Sequence, residues 1–164
     1  MFNRFSNGVI AVVAMALYPL DQTIANEGYV SNSAVASQFR SGQAQEDYGV
    51  LWILTMGGYA SPWLALEGRY GRSLWDSGNE SIQSLAGVYA RPIYPLGGAE
   101  LYGVFGYTEL RTGENDSISG LSTGAGIRIK PLVSQFDVKI EYFSAINRDG
   151  ITARMAVLGA VARF

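Results

Sequence analysis

Stretches in which apolar and polar residues alternate recur along the chain after residue 26, and short polar or Pro/Gly-rich breaks separate them. A period of two indicates a β-strand, because successive side chains of a strand point to opposite faces of the sheet. Strands of roughly 10–13 residues exceed the usual length in soluble sheets and match tilted transmembrane strands. The predicted strands are Tyr29–Phe39, Tyr48–Ala60, Trp63–Ser73, Ser81–Ile93, Glu100–Leu110, Ser117–Lys130, Phe136–Ile146 and Ile151–Phe164.

The last predicted strand, Ile151–Phe164, ends on an aromatic residue. An unpaired strand edge invites aggregation, and a closed barrel removes that edge by pairing the last strand with the first. We therefore predict that this strand closes a barrel. A last strand that ends in Phe is similar to those of outer-membrane β-barrel proteins. This resemblance implies that the outer-membrane barrel assembly machinery recognises the strand and that Phe164 is part of the assembly signal.

The predicted connections alternate between two kinds. Charged polar loops follow the odd strands, and breaks that contain Pro, including the Tyr94–Ala99 turn, follow the second, fourth and sixth strands. This alternation resembles the OmpA-type and OmpX-type eight-stranded outer-membrane barrels, which have short periplasmic turns and longer external loops. The resemblance covers nearly all of residues 27–164. It implies an all-β, antiparallel, up-and-down transmembrane barrel, a monomer surrounded by outer-membrane lipid and lipopolysaccharide in a Gram-negative cell.

The amino-terminal segment has the pattern of a signal peptide. The apolar run Gly8–Leu17 follows Arg4, and the residues up to Ala25 supply a small-residue cleavage pattern. The run is too short to span a bilayer as a helix. We predict a signal peptide over residues 1–25 and a barrel domain over residues 26–164, the alternative being a buried helix at the amino-terminus.

Charged residues of the third, sixth and seventh predicted strands fall on one face of each strand. A charged side chain that faces lipid at mid-depth costs about 2–4 kcal/mol, so these groups would point into the barrel. The lumen of an eight-stranded barrel is narrow enough for side chains to fill, and buried charges must be paired. The sequence therefore predicts an internal ion-pair network and no open pore. Its members are Glu67, Arg69, Arg128, Lys130, Asp137, Lys139 and Glu141.

Two alternatives to this arrangement stay open at the level of sequence. A soluble lipocalin-like barrel would carry the same charges outside and the apolar face inside. The second and eighth predicted strands are apolar on both faces, which indicates either ordinary packing of the lumen or a patch that binds small apolar solutes, as in the OmpW-like family. Two sets of aromatic residues are predicted to form interfacial girdles. They are Tyr59, Trp63, Tyr94, Tyr102 and Phe164 near the turns, and Tyr48, Tyr70, Trp75, Tyr107 and Tyr142 near the loops.

Composition limits the chemistry. The chain contains no His and no Cys, which excludes imidazole and thiolate groups from any catalytic or metal site. Its formal net charge of −2 is not typical of a nucleic-acid-binding protein, and no nucleotide-binding glycine motif is present. Barrel enzymes of this size are expected to use a catalytic His. We therefore predict no catalysis, no cofactor, no metal and no nucleic-acid partner, and a structural or surface-interaction role.

Overall fold

The structure, a computed structural model, is a closed barrel of antiparallel strands, as the sequence predicts. It describes residues 27–42, 46–76, 82–113, 116–131, 136–148 and 150–164, so the predicted signal peptide lies outside the described residues. Each strand pairs with the next along the chain. Among the described residues, no helix has the length and hydropathy needed to cross a membrane. The strands are β1 Gly28–Ser41, β2 Asp47–Ser61, β3 Leu64–Asp76, β4 Ile82–Leu96, β5 Ala99–Thr112, β6 Ser117–Ile129, β7 Phe136–Arg148 and β8 Ile151–Arg163.

The barrel closes between β1 and β8. Their register runs from Tyr29 opposite Arg163 to Ser41 opposite Ile151. Beyond the last pair, the backbone groups of Gly28 and Phe164 exchange two hydrogen bonds of 3.0 Å. Because Gly28 has no side chain, the ring of Phe164 lies directly over it, and a Cβ at residue 28 would lie 2.7 Å from Cε2 of that ring. The closure thus leaves neither β1 nor β8 as an open edge.

The barrel has two ends and two faces. We call the end with residues 62–63, 97–98 and 130–135 the turn end, and the end with residues 42–46, 77–81, 113–116 and 149–150 the loop end. Large apolar side chains cover the outer face, where Leu121 is 79% and Leu158 is 59% exposed. The charged faces of β3 and β7 point into the lumen. A water-soluble barrel needs the opposite arrangement, so the lipocalin-like alternative is wrong.

The strand β4 is longer than predicted. It continues through Pro92 and Pro95 to Leu96, and the predicted Tyr94–Ala99 turn is wrong because Gly97 and Gly98 alone make the turn. The register with β3 ends at Pro92, and one further backbone hydrogen bond of 2.8 Å runs from the N–H of Ile93 to the carbonyl oxygen of Trp63. From Tyr94 on, β4 is in register with β5 alone, so its other side is an edge. A proline, which has no backbone N–H, is tolerated at such an edge. Gly97 has a φ of 64°, a conformation that tight turns require and glycine adopts without strain.

Inward-facing aromatic side chains lie opposite glycines of the neighbouring strand. A Cβ added to any of these glycines would collide with the facing aromatic residue, with its ring at Gly57, Gly106 and Gly126 and with its Cβ at Gly124. A narrow lumen has no room for two large side chains at the same level of adjacent strands, and the missing side chain of the glycine leaves space for the aromatic residue opposite. The four pairs are Tyr29 with Gly57, Tyr89 with Gly106, Tyr102 with Gly126 and Phe143 with Gly124.

We expect Gly126→Ala to destabilise the barrel by about 1–3 kcal/mol, the usual cost of overpacking a filled interior. The new Cβ would lie 2.5 Å from Cζ of Tyr102 and would displace that ring. The measurement is the free energy of unfolding by urea in detergent. Gly98→Ala is the control, because a Cβ there meets nothing within 4 Å. Equal stability of the two variants would contradict the packing role of Gly126.

Candidate functional site: ion pairs in the lumen

Glu67 on β3 is the centre of a buried group of ion pairs. Its Oε1 accepts hydrogen bonds from Nη1 of Arg91 at 2.5 Å and from the hydroxyl of Tyr29 at 2.6 Å. Its Oε2 accepts from Nη2 of Arg69 at 2.7 Å. Arg69 also donates to both carboxylate oxygens of Glu141 on β7, at 2.5 and 2.9 Å. These residues therefore link β1, β3, β4 and β7 across the lumen.

Aromatic rings cover the guanidinium groups of this central cluster. Cζ of Arg91 lies 3.7 Å from the ring centroid of Tyr102, and Cζ of Arg69 lies 4.5 Å from that of Tyr89. The Nε and Nη2 atoms of Arg91 have no hydrogen-bond partner among the described residues. The electron-rich face of Tyr102 offsets part of that desolvation, because a cation over a ring is attracted by the ring quadrupole.

The central cluster carries a surplus of positive charge. Lys139 on β7 is buried, and its Nζ donates a hydrogen bond of 3.0 Å to Oγ of Ser31. Among the described residues at this level, the cations Arg69, Arg91 and Lys139 face the carboxylates Glu67 and Glu141. Loss of any one of the three cations would bring the cluster to neutrality, but Arg69 and Arg91 make the ion pairs with the carboxylates, whereas Lys139 bonds to Ser31.

A second group lies toward the turn end and is centred on Glu100 of β5. Its Oε1 lies 2.6 Å from Nζ of Lys130, and its Oε2 lies 3.5 Å from Nη1 of Arg128. Arg128 also donates a hydrogen bond of 2.5 Å to the hydroxyl of Tyr59. The side chain of Arg128 is buried, while that of Lys130 is 30% exposed. The pairing with Glu100 therefore stabilises one buried and one accessible cation.

The seven residues predicted to form one network thus fall into three groups. Glu67, Arg69, Lys139 and Glu141 meet in the central cluster, and Arg128 and Lys130 meet at Glu100. Asp137 is separate: its Oδ2 lies 3.1 Å from Nε of Arg163 on β8, near the turn end. All seven face the lumen or its rim, and the ion pairs within this set join Arg69 to Glu67 and Glu141.

Sequence reasoning missed several members of these groups. Arg91 shares its face of β4 with Leu85, Tyr89 and Ile93, so the surrounding pattern is apolar and hides the charge. The register with β3 reveals it, because Arg91 lies opposite Ala65, two residues from Glu67. The assignment of Tyr59 and Tyr102 to an outer girdle is wrong. Their hydroxyl and ring contact Arg128 and Arg91 inside the barrel.

The apolar part of the lumen lies beside β2 and β8. Its inward side chains are at most 4% exposed and belong to one packed core with Val35 and Phe143. They are Leu51, Ile53, Met155, Val157 and Val161. No group of His, Cys, Asp or Glu in the described part of the chain could hold a metal ion. Several ion pairs of the lumen join residues of different strands, as Arg69 on β3 does with Glu141 on β7.

The fold agrees with comparisons to known proteins. The family profile described as "Outer membrane protein beta-barrel domain" matches residues 8–164, so the chain belongs to this family and the protein is located in the outer membrane. No curated protein sequence matched the chain.

Solved structures of similar fold include proteins of the bacterial outer membrane and cell surface. Neisserial surface protein A has 15% identity and a TM-score of 0.65, over 85% of this chain and 99% of that chain. Ail, the attachment invasion locus protein of Yersinia pestis, has 19% identity and a TM-score of 0.55, over 84% and 98%. The N-terminal barrel domain of Pseudomonas aeruginosa OprF has 14% identity and a TM-score of 0.57, over 83% and 97%. At these identities the likeness concerns the fold alone.

We expect Glu67→Ala to lower the free energy of unfolding in detergent by about 3–5 kcal/mol, because Arg69 and Arg91 would lose a shared buried carboxylate. The matched control is Glu109→Ala. Glu109 lies 3.8 Å from Arg111 in an accessible pair, with side chains 15% and 53% exposed. Such pairs contribute below about 1 kcal/mol. If both variants unfold at the same denaturant concentration, water solvates the lumen charges.

The surplus charge makes a second variant informative. Lys139→Met removes one cation from a cluster that has more cations than carboxylates, and it retains most of the side-chain volume. Replacing buried ionic groups with apolar ones is often neutral or stabilising. We expect Lys139→Met to unfold at the same or a higher urea concentration than the unmodified protein, whereas Glu141→Gln unfolds earlier. A loss of stability in Lys139→Met as large as that in Glu141→Gln would contradict the surplus.

Proposed function

We propose that this protein is a closed, non-conducting barrel of the outer membrane with a structural or surface-interaction role and no catalytic activity. The observation that carries the proposal is the central cluster, in which paired side chains from β1, β3, β4 and β7 cross the lumen. Side chains that satisfy one another across a narrow barrel leave little space for a continuous path of water.

The outer surface supports a role in contact rather than in transport. The connections at the loop end contain at most five residues. A partner that binds at this end would therefore contact short loops and the neighbouring outer wall of the barrel. The similar structures include a surface protein and an attachment invasion locus protein. The packed apolar side chains beside β2 and β8 give no specific support to the alternative of binding or passing small hydrophobic solutes.

Processing and assembly complete the proposal. We infer that residues 1–25 are removed during export and that the assembly machinery recognises the last strand through Phe164. Two features support a role for Phe164: its backbone hydrogen bonds continue the closing ladder, and its side chain is 71% exposed on the outer face. An exposed aromatic group at the closure is accessible to a partner before the barrel is complete.

Conductance tests the closed lumen. We expect no stable ion current when the intact protein is inserted in planar lipid bilayers at neutral pH, because the central cluster blocks the path. A Glu67→Ala, Arg91→Ala double variant removes two of the side chains that cross the lumen and should give larger or more frequent current steps. A steady open channel in the unmodified protein would contradict the proposal and favour a passage role.

Deletion of Phe164 tests the assembly role separately. We expect a several-fold decrease in the amount of folded barrel in cell outer membranes, while refolding in detergent changes little, because only two backbone hydrogen bonds are lost at one strand end. Phe136→Ala is a control for the loss of an exposed aromatic side chain near the same end. Equal insertion in cells with and without Phe164 would count against recognition of this residue.

A further inference from the structure

A polar cleft lies on the outer wall of the barrel, at the loop end of the β1–β8 closure. Gln38 and Arg40 come from β1, Thr152 and Arg154 come from β8, and Glu46 completes the lining. The register places Arg40 opposite Thr152 and Gln38 opposite Arg154. The two arginines are therefore diagonal neighbours on one face, a distance that long side chains span. The cleft volume is about 60 Å³, which suits one small group rather than a large ligand.

The cleft has a net positive charge. Arg40 and Arg154 are exposed, and Nε of Arg40 donates a hydrogen bond of 3.3 Å to the carbonyl oxygen of Gly42. Oε2 of Glu46 accepts hydrogen bonds from Tyr48 at 2.9 Å and from Gln38 at 2.6 Å. These hydrogen bonds hold the pKa of the Glu46 carboxyl below its usual value, so one carboxylate faces two guanidinium groups. Guanidinium forks are suited to bind phosphate oxygens in pairs.

An open apolar depression begins directly next to the cleft, on the side toward the turn end. The outward pair that follows Gln38 and Arg154 is Ala36 opposite Ala156, and these small side chains form the floor of the depression. Val50 and Tyr142 stand on either side. The depression extends around the outer wall from β2 through β1, β8, β7 and β6 to β5, and it has a volume of about 930 Å³. Because this wall faces lipid, hydrocarbon chains are the groups available to fill it.

We propose that the β1–β8 closure binds one phosphorylated lipid of the surrounding membrane, with its phosphate between Arg40 and Arg154 and an acyl chain over Ala36 and Ala156. The loop end is the external end in the barrels that this chain resembles, so the lipid belongs to the external leaflet. Inorganic phosphate or a sulfated sugar shares the chemistry of the headgroup. Neither has a chain to occupy the depression, and the adjacency of cleft and depression therefore favours the lipid.

The test measures dissociation constants by native mass spectrometry of the detergent-solubilised barrel. The probes are lipid A with its phosphates, the same lipid A after removal of the phosphates, inorganic phosphate and sucrose octasulfate. We expect the Arg40→Ala, Arg154→Ala variant to bind phosphorylated lipid A about tenfold more weakly, and to bind the dephosphorylated lipid unchanged. The Arg40→Lys, Arg154→Lys variant should recover much of the affinity for phosphorylated lipid A. Such a recovery would not be expected if Arg40 acted only through its hydrogen bond to Gly42. Arg72→Ala, which removes an outward arginine of β3, is the control and should have no effect.

Two further variants separate the chain from the headgroup. Ala36→Trp fills the depression and should weaken binding of phosphorylated lipid A several-fold without changing binding of inorganic phosphate. Glu46→Gln removes the negative charge beside the arginines and should strengthen phosphate binding. Because both variants retain the arginines, they test the proposal even if the double alanine variant does not fold.

Three results would overturn the proposal. Unchanged lipid affinity without the two arginines would exclude the headgroup site. An equal loss in Arg72→Ala would indicate general attraction to a charged surface. Binding of free anions as tight as that of lipid A, with no effect of Ala36→Trp, would assign the cleft to soluble anions instead.

Discussion

The narrow lumen and the lipid around the barrel together constrain every charged position of the wall. A strand that crosses hydrocarbon cannot present Glu67, Arg69 or Glu141 outward, and the interior has little water to solvate them. The structure meets both conditions by pairing carboxylates with guanidinium groups across the barrel and by covering the guanidinium faces with tyrosine rings. The ladder of backbone hydrogen bonds joins neighbouring strands, whereas the central cluster also joins strands that are not neighbours, β1 with β3 and β3 with β7.

The difference between the three groups of ion pairs follows from their distance to the barrel ends. Glu67 and Arg91 are fully buried, and both are hydrogen-bonded to each other and to the hydroxyl of Tyr29. At the turn end, Lys130 and Arg163 are partly exposed, so water supports the pairs that they make with Glu100 and Asp137. A change in the central cluster therefore affects the whole barrel, whereas a change at the turn end affects one strand pair.

Strand number, the closing strand and the inward face of β3 and β7 were predictable from the sequence, because alternation is a local property. Glu67 and Arg69 stand out against Leu66 and Tyr70 without knowledge of any partner. The actual pairing was not predictable. Arg91 sits among apolar residues on both faces of β4, and Glu100 stands at the beginning of a strand, so only the register between strands reveals their positions. The prediction that Tyr102 lies in an outer girdle failed because aromatic residues occur both at membrane interfaces and opposite glycines inside the barrel. Only the register distinguishes these two positions.

The aromatic and glycine pairs also bear on the width of the barrel. In a closed barrel the diameter depends on strand number and on the total stagger accumulated around the circumference, the shear. Each pair joins one ring to one glycine at a single level of two adjacent strands, as Tyr29 does with Gly57. If β2 slid by two residues, Tyr29 would face Thr55 or Tyr59 instead, and the slide would have to be compensated at another strand pair. Four such pairs therefore fix the register of four pairs of neighbouring strands. In this way they hold the shear of the barrel, and with it the diameter, at one value.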